Sequence, residues 1–228
     1  MLKYIFILLL LINVNRATAQ KNKAIPDTLV MWKTYMNAMS FGDLQVAKTA
    51  LFELITAAPS NRVVYDSLAH LYFRIGAYSQ AIQSADSTRI NKRLKEVKAY
   101  SYRNLGDIKL ALPLFESLYT DLNTPEYGYQ AAMLQYTIKR YGECEETINK
   151  ILQHTDVKTS KVVISTEKGD NMEVSYFAAA ENLLGVLYKE TGKSEKAREC
   201  FLKAIAEEPG FTLARNNLSS LSDEQPQK

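Results

Sequence analysis

Four glycines set a spacing that few folds can satisfy. Gly42 and Gly76 stand 34 residues apart and Gly76 and Gly106 stand 30 apart; each of these glycines closes one amphipathic stretch and precedes another. Counting 33 residues on from Gly106 reaches Lys139, where Lys139-Arg140-Tyr141 fills the same place without a glycine. Gly192 follows 53 residues later, one more period of 34 plus an insertion of 19. Each unit reads as two antiparallel helices joined by a tight turn. The glycine ends the first helix because a left-handed backbone costs it nothing. One such pair cannot bury its own apolar face, so the units must stack.

The unit around Gly192 carries the fullest pattern. Leu184-Gly185, Tyr188, Gly192, Ala197, Phe201, Ala204 and Pro209 stand at fixed offsets, with Glu181 at the position where a Trp would be expected. At these residues the chain resembles the tetratricopeptide repeat (TPR) family, and the resemblance weakens through the other units. The second has Tyr65, Leu68, Ala69, Tyr72, Gly76, Tyr78 and Ala81; the third has Ala99, Tyr102, Gly106, Ala111 and Phe115. The first keeps Ala38, Gly42, Ala47, Leu51 and Pro59, and the fourth Ala132, Tyr141, Cys144, Ile148 and Ile151. The small residues Ala69, Ala99, Ala132 and Gly185 let paired helices approach, Phe115 and Phe201 fill the space between units, and Pro59 and Pro209 stop second helices.

The resemblance implies an all-α fold, a TPR-type α-α superhelix of about five helix-turn-helix units plus a capping helix, with a small β-hairpin inserted before the last repeat. Units one to four are assigned to residues 28–153, the hairpin to 154–177, the fifth unit to 178–211, and the capping helix and tail to 212–228. The hairpin rests on two short β-type runs, Lys161–Ser165 and Met172–Tyr176, around the turn chemistry of Glu167–Asn171. The capping helix rests on Phe211, Ala214, Leu218 and Leu221 at helical spacing.

Residues 1–19 read as a signal peptide. Met1 and Lys3 open it, Tyr4–Ile12 is unbroken apolar sequence, and Ala17-Thr18-Ala19 is a small-x-small cleavage pattern, followed by a linker over 20–27. The apolar run is about half of the roughly 20 residues that span a bilayer; an uncleaved membrane anchor is the other reading of this stretch. Cleavage after Ala19 leaves a chain without a membrane span, periplasmic or secreted, and the resemblance is to exported bacterial TPR proteins. Removing Lys3 and Arg16 also lowers the formal charge of +3 by two. The near-neutral remainder does not suit a nucleic-acid binder.

Cys144 and Cys200 fall on second helices and read as buried thiols; the alternative, a disulfide in an exported protein, needs those two helices to approach closely. The two histidines, His70 and His154, have no metal-ligand spacing, and no phosphate loop or nucleophile elbow occurs, so no enzyme activity, metal or cofactor is expected. The family resemblance implies instead a concave groove lined by first helices, taking another protein or a peptide. The side chains ten, six and three residues before each hinge would face it. These include Trp32, Met36 and Met39 in the first unit, Asp66, His70 and Phe73 in the second, and Glu96, Tyr100 and Arg103 in the third. Tyr129, Met133 and Tyr136 follow in the fourth, and Asn182, Val186 and Lys189 in the fifth. Such a Met- and aromatic-rich surface suits extended peptides or amphipathic helices. Trp32 and Met36 stand where the Lys/Asn/Arg clamp of some TPR co-chaperones would need Lys and Asn, so that subfamily's ligand is not expected. A second reading is a structural subunit of an envelope or secretion complex, contacting neighbours through the hairpin and the convex surface.

Overall fold

The computed structural model describes residues 27–87, 91–165 and 171–223. The expected signal peptide, nearly all of the linker, the tip of the hairpin and the end of the tail lie outside the described residues. Among the described residues the chain forms eleven helices and a two-stranded antiparallel sheet, divided between two compact units at residues 1–89 and 90–228.

The first unit holds α1 (Thr28–Phe41), α2 (Leu44–Ala57), α3 (Arg62–Arg74) and α4 (Tyr78–Asp86). The second holds α5 (Lys92–Asn104), α6 (Ile108–Leu122), α7 (Pro125–Thr137), α8 (Tyr141–Ile151), β1 (Lys161–Ser165), β2 (Asn171–Ser175), α9 (Tyr176–Glu190), α10 (Ser194–Glu207) and α11 (Thr212–Asp223). The repeating element is a hairpin of two helices, and within each unit consecutive helices pack on one another.

The hinges follow the spacing read from the glycines. Gly42, Gly76, Gly106 and Gly192 all take the left-handed conformation, with φ between 72° and 78°. The next N–H reaches back five residues to close each turn: Asp43 to the Ala38 carbonyl at 2.8 Å, Ala77 to Tyr72 at 2.9 Å, Asp107 to Tyr102 at 2.9 Å and Lys193 to Tyr188 at 2.8 Å. Lys139 makes the same turn with φ 60°, and Arg140 N–H donates to the Gln135 carbonyl at 2.9 Å. A Cβ in this conformation costs about 1–2 kcal/mol, so tertiary packing holds the fourth hinge in shape. Helix starts are capped locally: Asp27, Asp43, Asn61, Asn91, Asp107 and Ser175 each accept an N–H from the first turn of the helix they precede.

Small residues sit where helices cross. Ala69, Ala99 and Ala132 are fully buried, and Phe115 and Phe201 are each 0% exposed. Cys144 and Cys200 are buried free thiols. Burial pushes both up to about 12, which leaves almost no thiolate at neutral pH.

The hairpin forms with a one-residue shift. β2 begins at Asn171 rather than Met172, and Tyr176 opens α9 instead of ending the strand. The reason is local: the Ser175 hydroxyl accepts the Ala178 N–H at 3.1 Å, so the residue after it is already helical. Val162, Ile164 and Met172 pack against the core, where Val174 is buried. Lys161 reaches Glu208 at 2.5 Å and holds that carboxyl below its ordinary range.

Glu181, in the place of the signature Trp, is 3% exposed. One oxygen lies 3.6 Å from Lys203 Nζ, and the other, Oε2, is buried without a hydrogen-bond partner among the described residues. Burial holds this carboxyl above its ordinary range. Below that range the folded and unfolded chains both carry the proton and the penalty vanishes. As pH rises towards the raised folded value, only the folded state resists ionising, and stability falls. Glu181→Leu should therefore stabilise the chain by about 1–2 kcal/mol near neutral pH and by less in acid. Urea unfolding at the two pH values checks this, and an equal gain at both would show that ionisation is not the cause.

Candidate protein-binding face

The side chains expected to meet a partner lie on first helices in both units. In the first unit α1 and α3 carry them. Met36 stands out into solvent at 62% exposed. Trp32 is half-buried, with its ring edge-on to Tyr35 at 5.7 Å, and Met39 packs beside it on the core. His70 and Phe73 on α3 are half-buried, and the Phe73 ring lies 5.9 Å from that of Tyr78.

In the second unit α5, α7 and α9 supply the face. Tyr100 sets its ring edge-on to Phe115 at 5.0 Å and donates its hydroxyl to Glu126 Oε1 at 2.6 Å. The Arg103 guanidinium lies 4.9 Å from the centre of the Tyr100 ring and donates to Gln130 Oε1. These cross-links tie α5 to α7 through residues 26 to 27 positions apart. Tyr129 is 6% exposed and packs edge-on to Tyr176 at 5.9 Å, so it belongs to the core and not to the open surface. Asn182 is buried too, accepting from Asn217 Nδ2 at 2.9 Å, while Lys189 reaches Ser220 Oγ at 2.9 Å.

The remaining residues are accessible. Met133 is 43% exposed, and Tyr136, half-buried, leans on Tyr141 at 5.8 Å. Arg103 keeps guanidinium edges beyond the one bonded to Gln130. Burial raises the phenols of Tyr100, Tyr127 and Tyr129 well above their ordinary value. They remain neutral donors at any physiological pH. The face in the second unit therefore combines two fixed polar pairs, Tyr100-Glu126 and Arg103-Gln130, with exposed Met and aromatic surface on α7.

Sequence spacing picked out Tyr100, Arg103, Met133 and Tyr136 but missed Glu126, Gln130 and Tyr176. Glu126 and Gln130 are one helical turn apart on α7, a spacing visible in the chain. Their partners are not visible there, because α5 and α7 meet only in the folded unit. Among the described residues no group of three His, Cys, Asp or Glu side chains could hold a metal, and no helix is long and apolar enough to cross a membrane.

A family model described as Tetratricopeptide repeat matches residues 180–211, the unit with the fullest signature. The TPR repeat-containing protein YpiA of Bacillus subtilis (strain 168) is 25% identical over 209 residues, covering 78% of this chain. The chain spans about half of that relative's length, 47%. Among solved structures, YrrB, described as a TPR protein with an unusual peptide-binding site, superposes with a TM-score of 0.67 at 19% identity, covering 88% of this chain and 95% of YrrB. A tetratricopeptide repeat protein from Parabacteroides merdae ATCC 43184 also reaches 0.67 at 19% identity, covering 86% of this chain and 72% of its own.

Proposed function

We propose that the chain, which is similar to tetratricopeptide-repeat proteins, modules that bind other proteins or peptides, is an exported adaptor of the cell envelope, holding a partner segment on its first helices. The observation that carries this reading is the exposure of Met36 and Met133 beside Trp32 and Tyr136. Apolar side chains left in water next to aromatic rings are the composition of interface cores. The apolar leader with its Ala17-Thr18-Ala19 pattern supports export, placing the mature chain in the periplasm or outside the cell.

Met36→Glu together with Met133→Glu tests the reading. Both side chains are exposed, so the fold should stand, and a charge on each should weaken capture of the partner about tenfold or more. The measurement is cross-linking in the native host, with the trapped protein identified and quantified for both chains. Undiminished capture of the same protein by the variant would remove these exposed first-helix side chains as the site. A second reading, a fixed subunit contacting neighbours through the hairpin, draws on Val163, which is 60% exposed on β1. Val163→Lys in the same experiment separates the two: loss of capture there, with none from the Met changes, would favour the hairpin.

A further inference from the structure

A second site lies away from that face, at the carboxyl ends of α6 and α8. We propose that this cleft, about 560 Å³ in volume, binds a short uncharged oligosaccharide. Tyr119, Thr120 and Asn123 line one side, and Lys150, Gln153, His154 and Thr155 line the other.

The lining rules out other ligand classes one by one. It has no aliphatic side chain to seat an alkyl anchor and no carboxylate to pair a cation. Its only formal cation is Lys150, which is already 2.7 Å from Glu146 and mostly in water. The α6 wall is a helix carboxyl end, whose last carbonyls carry partial negative charge. On α6 the carbonyls of Thr120, Asp121 and Leu122 receive no backbone N–H. An anion would meet that field unfavourably. What remains is a neutral ligand whose groups both donate and accept, and hydroxyls do both. Thr120, Thr155, Asn123 and Gln153 match such groups, since each also donates and accepts.

The cleft also has a fixed aromatic wall. The Tyr119 and His154 rings lie 6.0 Å apart at 40°, with Tyr119 Oη 3.4 Å from His154 Nε2. His154 Nδ1 in turn stands 3.7 Å from Asp156 Oδ1, and the imidazole is only 11% exposed. The Tyr119 ring is seated against Gly128 of α7. A Cβ there would stand 3.0 Å from two of its ring carbons and 2.9 Å from Ile151 Cγ1, so the glycine leaves room for the ring. A wall set before binding loses little freedom when a sugar's C–H face stacks on it. The volume lies within the usual range for small-molecule sites, about 300–1,000 Å³.

The test titrates the full chain with four neutral probes, cellotriose, maltotriose, mannotriose and the N-acetylglucosamine trimer, and with inorganic phosphate, followed by saturation-transfer NMR and calorimetry. At least one trisaccharide should bind saturably and phosphate should not. Gln153→Ala, an exposed change that leaves the fold intact, should weaken that sugar about tenfold, and Tyr119→Ala should weaken it further. Failure of all four sugars to bind, binding unaffected by Gln153→Ala in the folded chain, or a preference for phosphate would each overturn the assignment.

Discussion

Phe201→Ala should lower the unfolding free energy by about 4 kcal/mol, and in that background Gly185→Ala should change sign from destabilising to stabilising. Phe201 on α10 is completely buried, and its ring occupies the space a side chain on Gly185 of α9 would need. A Cβ at Gly185 would stand 2.5 Å from Phe201 Cε1 and 2.6 Å from Cδ1. In the unaltered chain the ring cannot retreat, so Gly185→Ala overpacks at a cost of about 1–3 kcal/mol. Better helix propensity returns about 1 kcal/mol of that, leaving a net loss. Once the ring is gone only the propensity gain remains. The two sites should therefore couple by about 2 kcal/mol, read from denaturant unfolding at the four corners of the cycle. Additive effects would mean that the glycine and the ring do not meet.

A chain ending at Gly210 should lose about 4–6 kcal/mol, and the loss should fall first on α9 and α10. Phe211 and Leu221 are 1% and 4% exposed, and Ala214 is fully buried, so α11 covers the open side of the last repeat. Its removal also takes away Asn217 and Ser220, which bond Asn182 and Lys189. Stability in stacked repeats is passed between nearest neighbours. Hydrogen exchange should accordingly show lost protection in α9 and α10, with α5 and α6 little changed. Uniform loss throughout the second unit would show that it folds as one cooperative block, without an end that frays.

Most of the architecture was legible because its signals are local. A hinge glycine takes its φ from its own missing Cβ, and a cap residue bonds an N–H two or three positions on. Even the fourth hinge was found by counting to Lys139, although its left-handed φ could not be read from a lysine. The hairpin was legible from its two-residue alternation, and its boundary slipped by one residue because the Ser175 cap competes for the end of the strand. The cysteines were placed correctly as buried thiols.

The candidate face was legible only in part. Helical spacing says which residues share the side of a helix, and it placed Met36 and Met133 where they are open. It placed Tyr129 on the same side, but Tyr176, 47 residues on, covers that ring. It marked Tyr100 and Arg103 without showing that Glu126 and Gln130 would bind them. The carbohydrate cleft had no signal at all, since Tyr119 and His154 come together from the ends of different helix pairs.

The amino-acid order by itself determined the glycine hinges, which residues are small enough for helices to cross, and the length of the repeat. These depend on torsions and hydrogen bonds spanning at most a few residues. The folded unit alone decided which members of each face are covered, which carboxylates and amides the tyrosines and arginine bond, and where a cleft remains between helix ends. Burial and pairing are set by side chains that meet across helices, and no local pattern specifies the distance between them.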